Sequence, residues 1–327
     1  MTFKLKDIYF GVVLLFFILL ISVKWQEIKS IFVLFDIHDS LFLLLALLMQ
    51  FFTYVVSALA YQSILHTTGI KVPFGFLFKS SFSMLSLNQI IPSLGFSGGA
   101  FFVSEVKKHG VSTGKGTLCI VLEAVIFYSS FILLMILSVL YLFIDHKVAY
   151  IQILLTFIFG VIVLLGVLYF FYIMKNKEKL SKFLYRIYHR IVRILKKKED
   201  KKGFDFLVSE FFLGKEMMLH NKKKFLAPFI YSILKSVFDI LTIYFVFLSF
   251  GYAMNIGVLT LGFCLATLLS YVSFIPGGIG VFEFSMAGIY AGFGVPFYLG
   301  FVVTLIFRGL SFWLPIPIGL VFYRAMK

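Results

Sequence analysis

The chain has 327 residues, of which 61% are hydrophobic and 19% aromatic, against 14% charged, with a mean hydropathy of +1.02. Soluble domains carry roughly 25% charged residues, so a water-soluble fold is excluded. The net charge of +15 then has to be read by its position relative to apolar runs and not as a nucleic-acid footprint.

A hydrocarbon core of about 30 Å needs about 20 mostly apolar residues per helix. Six stretches meet this in chain order: 8–23, 41–65, 116–143, 148–174, 225–250 and 296–323. Lys4 and Lys6 precede the first as in a signal peptide, but Val23-Lys24-Trp25 offers no small-residue cleavage site, so a retained anchor is expected.

Two further stretches, about 72–110 and 255–294, are apolar but interrupted. The first contains Ile91-Pro92-Ser93-Leu94-Gly95-Phe96-Ser97-Gly98-Gly99 and the second Ile275-Pro276-Gly277-Gly278-Ile279-Gly280. Such runs end one helix and let another begin. Broken backbone at membrane depth is tolerated only inside protein or beside a wet cavity, so each is expected to be a re-entrant hairpin facing the interior.

Basic residues set the orientation. Lys71 precedes the first interrupted stretch and Lys107, Lys108 and Lys115 follow it, so a hairpin keeps all four on the cytoplasmic side. Both termini fall on that side too, as does the 175–224 segment, which holds 16 of the 30 basic residues and six acids. Within it Leu180, Phe183, Leu184, Ile187, Ile191, Ile194 and Leu195 recur at helical spacing with Lys182, Arg186, Arg190, Arg193 and Lys197 interleaved. This describes a basic amphipathic helix lying on an anionic inner leaflet. Three regions result: a membrane half at 1–174, the cytoplasmic segment at 175–224, and a second membrane half at 225–327.

A shift of 184 residues aligns Leu85-Ser86 with Leu269-Ser270, Ile91-Pro92 with Ile275-Pro276, and Gly110-Val111 with Gly294-Val295. It also superposes span 41–65 on 225–249, which run in opposite directions. The expected fold is therefore an all-α integral membrane protein, with six spanning helices and two re-entrant helical hairpins as inverted repeats. Inverted repeats with broken helices near the midplane are a transporter signature.

Ionisable groups at membrane depth are costly and carry a functional hypothesis by default. They are Lys79, Glu105, Glu123, Lys235, Asp239, Glu283 and Arg308. Lys235 and Asp239 stand four apart on one helix and are expected to pair. Lys79 and Glu105 fall where they can reach the interface. Glu283 falls in the first turn after Gly280, where the helix dipole favours a carboxylate; it can equally pair with Arg308 on the next span.

At the tips, N–H groups of Ser97-Gly98-Gly99 and Gly278-Ile279-Gly280 could cradle a phosphate-like anion, with Asn88, Gln89, Ser86, Ser93 and Ser273 lining the path or merely satisfying broken-helix carbonyls. The candidate substrate-binding set is Glu283, Arg308, Glu123, Asn88, Ser97, Gly98, Gly278 and Gly280. Cys119 and Cys264 lie in apolar runs without metal or CxxC spacing, and there is no Walker loop, HExxH or GxSxG. No catalytic residue, metal or cofactor is expected.

Phe274-Ile275-Pro276-Gly277-Gly278-Ile279-Gly280-Val281-Phe282-Glu283, then Gly294-Val295-Pro296 and Arg308-Gly309-Leu310-Ser311-Phe312-Trp313-Leu314-Pro315, resembles the lysylphosphatidylglycerol synthase transmembrane-region family, also called flippase-like. Asn88, Pro92-Ser93, Gly95, Ser97-Gly98, Gly110-Val111-Ser112 and Glu123 are similar to the family's first motif, with Leu94 and Ala100 standing where many members carry arginine. The resemblance covers nearly the whole chain and implies movement of a phospholipid, aminoacylated or not, or a polyprenyl-phosphate-linked lipid between leaflets of the cell membrane. The aminoacyltransferase domain of the longer relatives has no counterpart here, so a flippase without synthase activity is expected. A transporter of a small soluble anion or amino acid, and a membrane component of a lipid-modifying enzyme, are the alternatives. The implied partners are membrane lipids with anionic headgroups, with no nucleic acid; a homo-oligomer is compatible with this reading.

Overall fold

A computed structural model describes residues 40–67, 69–90, 96–144, 226–273 and 275–326, with isolated positions between 161 and 212. The spans expected at 8–23 and 148–174 lie largely or wholly outside these residues, as does most of the 175–224 segment. The described elements are helical: α1 Ser40–Thr67, α2 Phe74–Ile90, α3 Phe96–Lys107, α4 Thr113–Ile144, α5 Leu226–Ser249, α6 Ile256–Val272, a 3₁₀ turn Pro276–Gly278, α7 Val281–Ala291, α8 Phe297–Arg308, a π turn Gly309–Trp313, and α9 Pro315–Met326. Among the described residues, four helical stretches are long and apolar enough to cross a membrane: α1, α4, α5 and the run from Phe297 to Met326. At a rise of 1.5 Å per residue, the 32 residues of α4 reach about 48 Å.

The surface is apolar where a soluble protein's would be polar. Leu41, Leu44, Leu47, Leu48 and Phe51 of α1 are exposed, as are Ile136, Leu137, Leu140, Phe143 and Ile144 of α4. Patches of this size mark lipid or partner contact. Against lipid, helices associate by close packing and side-chain hydrogen bonds, because hydrocarbon gives no hydrophobic drive. Serines supply those bonds: Ser83 Oγ donates to Gly319 O at 3.2 Å and Ser86 Oγ to Pro315 O at 2.8 Å, tying α2 to α9. Ser138 Oγ donates to Gly257 O at 2.6 Å, tying α4 to α6.

Both interrupted stretches fold as antiparallel helix pairs. In the first, Asn88 Oδ1 accepts from Gly98 N–H at 2.8 Å near the tip, while the Phe76 and His109 rings lie 3.8 Å apart at the base. In the second, Tyr290 hydroxyl donates to Leu259 O at 3.3 Å near the base, and Gly278 abuts Ser270 at the tip. The second arms have 12 and 11 residues, about 18 and 16 Å, well short of a hydrocarbon core of about 30 Å.

The pairs sit at opposite ends of the long helices. Tyr61, Ile64 and Leu65 at the end of α1, Leu118 to Ile126 early in α4, and Phe229 at the start of α5 cluster with the first pair's Leu77, Phe102 and Val106. Leu43 and Ala46 at the start of α1, Phe131 to Leu142 late in α4, and Ile243 to Phe247 late in α5 cluster with α6 and α7. So α1 runs antiparallel to α5, and each pair packs at one end. Lys108 Nζ donates to Met326 O at 3.1 Å, which puts the end of α9 beside the base of the first pair. Between the ends the tips approach each other, with α2 within 8 Å of the Pro276–Gly278 turn between Cα atoms.

Candidate functional site

Arg308 closes α8 and is buried, with 9% of its surface exposed. Its guanidinium is held by two hydrogen bonds and two rings. Nε donates to Glu283 Oε1 at 2.8 Å and Nη2 to Gly277 O at 2.5 Å, while the Phe312 and Phe282 rings cover it at 4.1 and 5.1 Å. Glu283 is 3% exposed, and its second oxygen accepts Gly280 N–H at 2.7 Å. Both sequence-level readings of Glu283 therefore describe the same side chain, which caps α7 and also pairs with Arg308. A buried pair of this kind is sustained when further hydrogen bonds support it, and here Gly277 O takes a second guanidinium donor and Gly280 N–H the second carboxylate oxygen.

The local backbone explains the geometry. Gly277, Gly278 and Gly280 have φ of +64°, +61° and +87°, a region that side chains with Cβ rarely occupy. This turns the chain so that Gly277 O faces Arg308. A Cβ on Gly278 would also run into Ser270 Oγ.

Arg308 also stands at a break the sequence reading did not anticipate. The final span, expected as one helix over 296–323, is interrupted by the π turn at Gly309–Trp313. Pro315 and Pro317, which cannot donate to the preceding turn, were the available signal. The carbonyls of the turn are met from outside: Tyr54 hydroxyl donates to Leu310 O at 2.7 Å and Gln89 Nε2 reaches Ser311 O at 3.5 Å. Phe312, whose ring covers Arg308, leans on Trp313 at 5.1 Å, and Trp313 is 56% exposed. The pair is thus close to the apolar outer surface.

The rest of the candidate set divides. Asn88, Ser97 and Gly98 fasten the first tip: Asn88 Oδ1 takes the Gly98 N–H, and Ser97 Oγ donates to Leu87 O at 3.3 Å. Gly278 N–H donates to Ile275 O at 2.9 Å and Gly280 N–H to Glu283. The N–H groups of Gly98, Gly278 and Gly280, expected to cradle an anion, thus have acceptors inside the chain. Arg308 likewise has acceptors inside the chain, Glu283 and Gly277 O.

Glu123 lies elsewhere, 3.4 Å from Lys235 Nζ, whose ammonium sits 4.5 Å over Phe127. This corrects the expected Lys235 to Asp239 pair. Both are on α5, but α4 presents Glu123 across the bundle, and Asp239 turns to α1, where Gln50 Nε2 donates to its Oδ1 at 3.3 Å. Glu105 pairs with Lys108 at 2.8 Å and Lys79 is exposed. Among the described residues, no cluster of three His, Cys, Asp or Glu could hold a metal ion. At the described positions of the basic segment, Lys182 and Arg186 are exposed while Tyr185 packs on Phe204 at 5.4 Å.

Gln50, Tyr54, Tyr271 and the aromatic pair around Arg308 did not stand out in the sequence. Tyr271 has 54% of its surface open although it lies among Glu123, Asp239 and Arg308.

Apolar helices, paired short helices and a buried ion pair define a membrane protein with several apolar helices. The family model of the lysylphosphatidylglycerol synthase TM region matches residues 8–319, and the chain belongs to that family. It is similar to a UPF0104 membrane protein of Pyrococcus horikoshii, 28% identical over 311 residues and 92% of each chain. It is also similar to one of Methanocaldococcus jannaschii, 22% identical over 88% of this chain and 85% of that one, and to one of Methanothermobacter thermautotrophicus, 30% identical over about half of each.

Proposed function

We propose that the chain is a flippase-like transporter, not an enzyme, that carries a phospholipid or polyprenyl-phosphate-linked lipid between leaflets, with Arg308 receiving the anionic headgroup. The observation that carries this is the Arg308 guanidinium, buried against Glu283 at a broken span and separated from exposed Trp313 by the Phe312 ring. A phosphate can replace Glu283 on a planar guanidinium fork without loss of geometry. The outward position of Trp313 favours access from lipid, where the acyl chains can stay while the headgroup enters.

In this reading the helix pairs are re-entrant hairpins from opposite faces, and the two halves are inverted repeats. Two features support it. Under the 184-residue shift α2, α3 and α4 fall on α6, α7 and the Phe297–Met326 run to within about two residues at most ends. The contacts between halves correspond as well, since α4 packs on α6 as the α9 run packs on α2. The two halves then rock about the α1 and α5 pair, exposing the centre to one face at a time.

The test is translocation in proteoliposomes, read as loss of fluorescence when dithionite bleaches headgroup-labelled lipid. Protein-dependent bleaching of inner-leaflet phosphatidylglycerol beyond the one-half accessible at the start supports the reading. No lipid movement, with uptake of a soluble anion or amino acid by the same vesicles, overturns it in favour of a solute transporter. A new lipid species formed on adding aminoacyl-tRNA would make the chain part of a lipid-modifying enzyme.

A further inference from the structure

Beyond their first turns, α4 and α5 carry three charged side chains, Glu123, Lys235 and Asp239. Glu123 and Lys235 pair at 3.4 Å, as Glu283 and Arg308 do at 2.8 Å. Asp239 is the carboxylate left over, with no cation at ion-pair distance among the described residues. On α1, Gln50 Nε2 donates to its Oδ1 and Thr53 stands alongside. Gln50 is 1% exposed, yet its Oε1 has no hydrogen-bond donor. A buried carbonyl oxygen left without a donor is uncommon and costly.

One change answers both the surplus negative charge and the missing donor. A proton on Asp239 removes the charge, leaves one carboxyl oxygen to accept the Gln50 amide, and supplies an O–H for Gln50 Oε1. A metal ion fits less well, because it calls for a shell of oxygens and the amide N–H of Gln50 already points at the carboxylate. Asp239 itself is half-buried, while Gln50, Thr53 and Ile240 beside it are all at 4% exposure or less.

The geometry points to Asp239, closed over by Gln50, as a proton-binding site that couples headgroup movement to a proton gradient. The coupling rests on the transport reading above; proton binding does not. A hydronium on one side gives its proton to an Asp239 oxygen, forming an O–H bond that breaks when the proton passes to water on the other side. The groups facing Asp239 carry the signal. They are Lys235 one turn earlier on α5, Tyr54 and Thr53 on α1, and Tyr271 on α6; Glu123 on α4 stands beyond Lys235, and Arg308 on α8, paired with Glu283, beyond Tyr271. With Asp239 protonated, Lys235 belongs to Glu123 alone; with Asp239 ionised, it stands between two carboxylates. Tyr271, felt by Asp239, Glu123 and Arg308 together, links that change to the headgroup site.

Carbodiimides react with protonated carboxyls in apolar surroundings. The full chain in proteoliposomes is treated with dicyclohexylcarbodiimide across about pH 5.5 to 8.5, in sodium or choline buffer, and modification at Asp239 is read by peptide mass spectrometry. Labelling is expected to fall by about tenfold or more from the acid to the alkaline end, equally in both salts. Absent or pH-independent labelling overturns the proposal, and protection by sodium overturns it in favour of a metal-ion site. In the same vesicles Asp239→Asn is expected to lose acceleration of lipid movement by a pH gradient while keeping exchange without one; retained acceleration overturns the coupling. If wild-type protein moves no lipid while labelling still titrates, the transport reading fails and the proton site stands.

Discussion

Arg308→Ala is expected to slow headgroup translocation by about 10- to 100-fold, corresponding to the roughly 1.5–3 kcal/mol that hydrogen bonds to a charged group contribute. It should also lower stability. Removing the guanidinium leaves the 3%-exposed Glu283 without its partner and Gly277 O without its donor, and breaking a buried pair on one side costs about 3–5 kcal/mol. Loss of fold will therefore be mixed with loss of function. Two companion variants separate the effects. Glu283→Gln keeps an oxygen for Gly280 N–H or Arg308 and is expected to fold, while freeing the guanidinium for the ligand. Arg308→Lys keeps the charge but cannot span Glu283 and Gly277 O together, so it should retain stability better than rate. Dithionite bleaching gives the rates, and thermal unfolding in detergent gives the stability. Full translocation by a folded Arg308→Ala protein would remove the residue from the mechanism.

Gly98→Ala is expected to have the largest purely structural effect. A methyl there meets Met84 O and the Asn88 side chain at the point where α2 and α3 cross. Backbone cannot yield as a flexible side chain does, so the arms must part, at an overpacking cost of about 1–3 kcal/mol. The Gly98 N–H to Asn88 bond is then stretched as well. The unfolding midpoint should fall by about 2–4 °C per kcal/mol lost. Gly75→Ala is the control: it lies on the other arm of the same pair, nothing lies within 4 Å of its added methyl, and replacing glycine in a helix stabilises by up to about 1 kcal/mol. Equal midpoints for the two variants would contradict the close crossing.

The broken stretches were legible because proline and glycine act on the backbone locally, whatever surrounds them. Pro276-Gly277-Gly278 and Gly280 announce a turn by themselves, and the helices begin and end within a few residues of the expected points. The approach of Glu283 to Arg308 was also legible, since two opposite charges in a greasy region have few other choices. Partner choice among three charges was not. Lys235 can reach Asp239 on its own helix or Glu123 across the bundle, and only the packing of α4 on α5 decides between them. The role of Gly98 was hidden for a related reason: in a sequence, a glycine suits an anion-cradling tip and a close helix crossing equally well, and here it serves the crossing. The π turn was missed because its glycine and prolines sit inside a run apolar enough to read as one span.

The account depends on the first helix pair opening toward one side of the membrane and the second toward the other. Its most direct test replaces the buried Cys119 and Cys264 and places single cysteines at the exposed pair bases, Lys107→Cys and Gly292→Cys, for reaction with a membrane-impermeant maleimide applied from either side of oriented vesicles. The account predicts that each cysteine reacts from one side only and that the two sides are opposite. Labelling of both from the same side would contradict it.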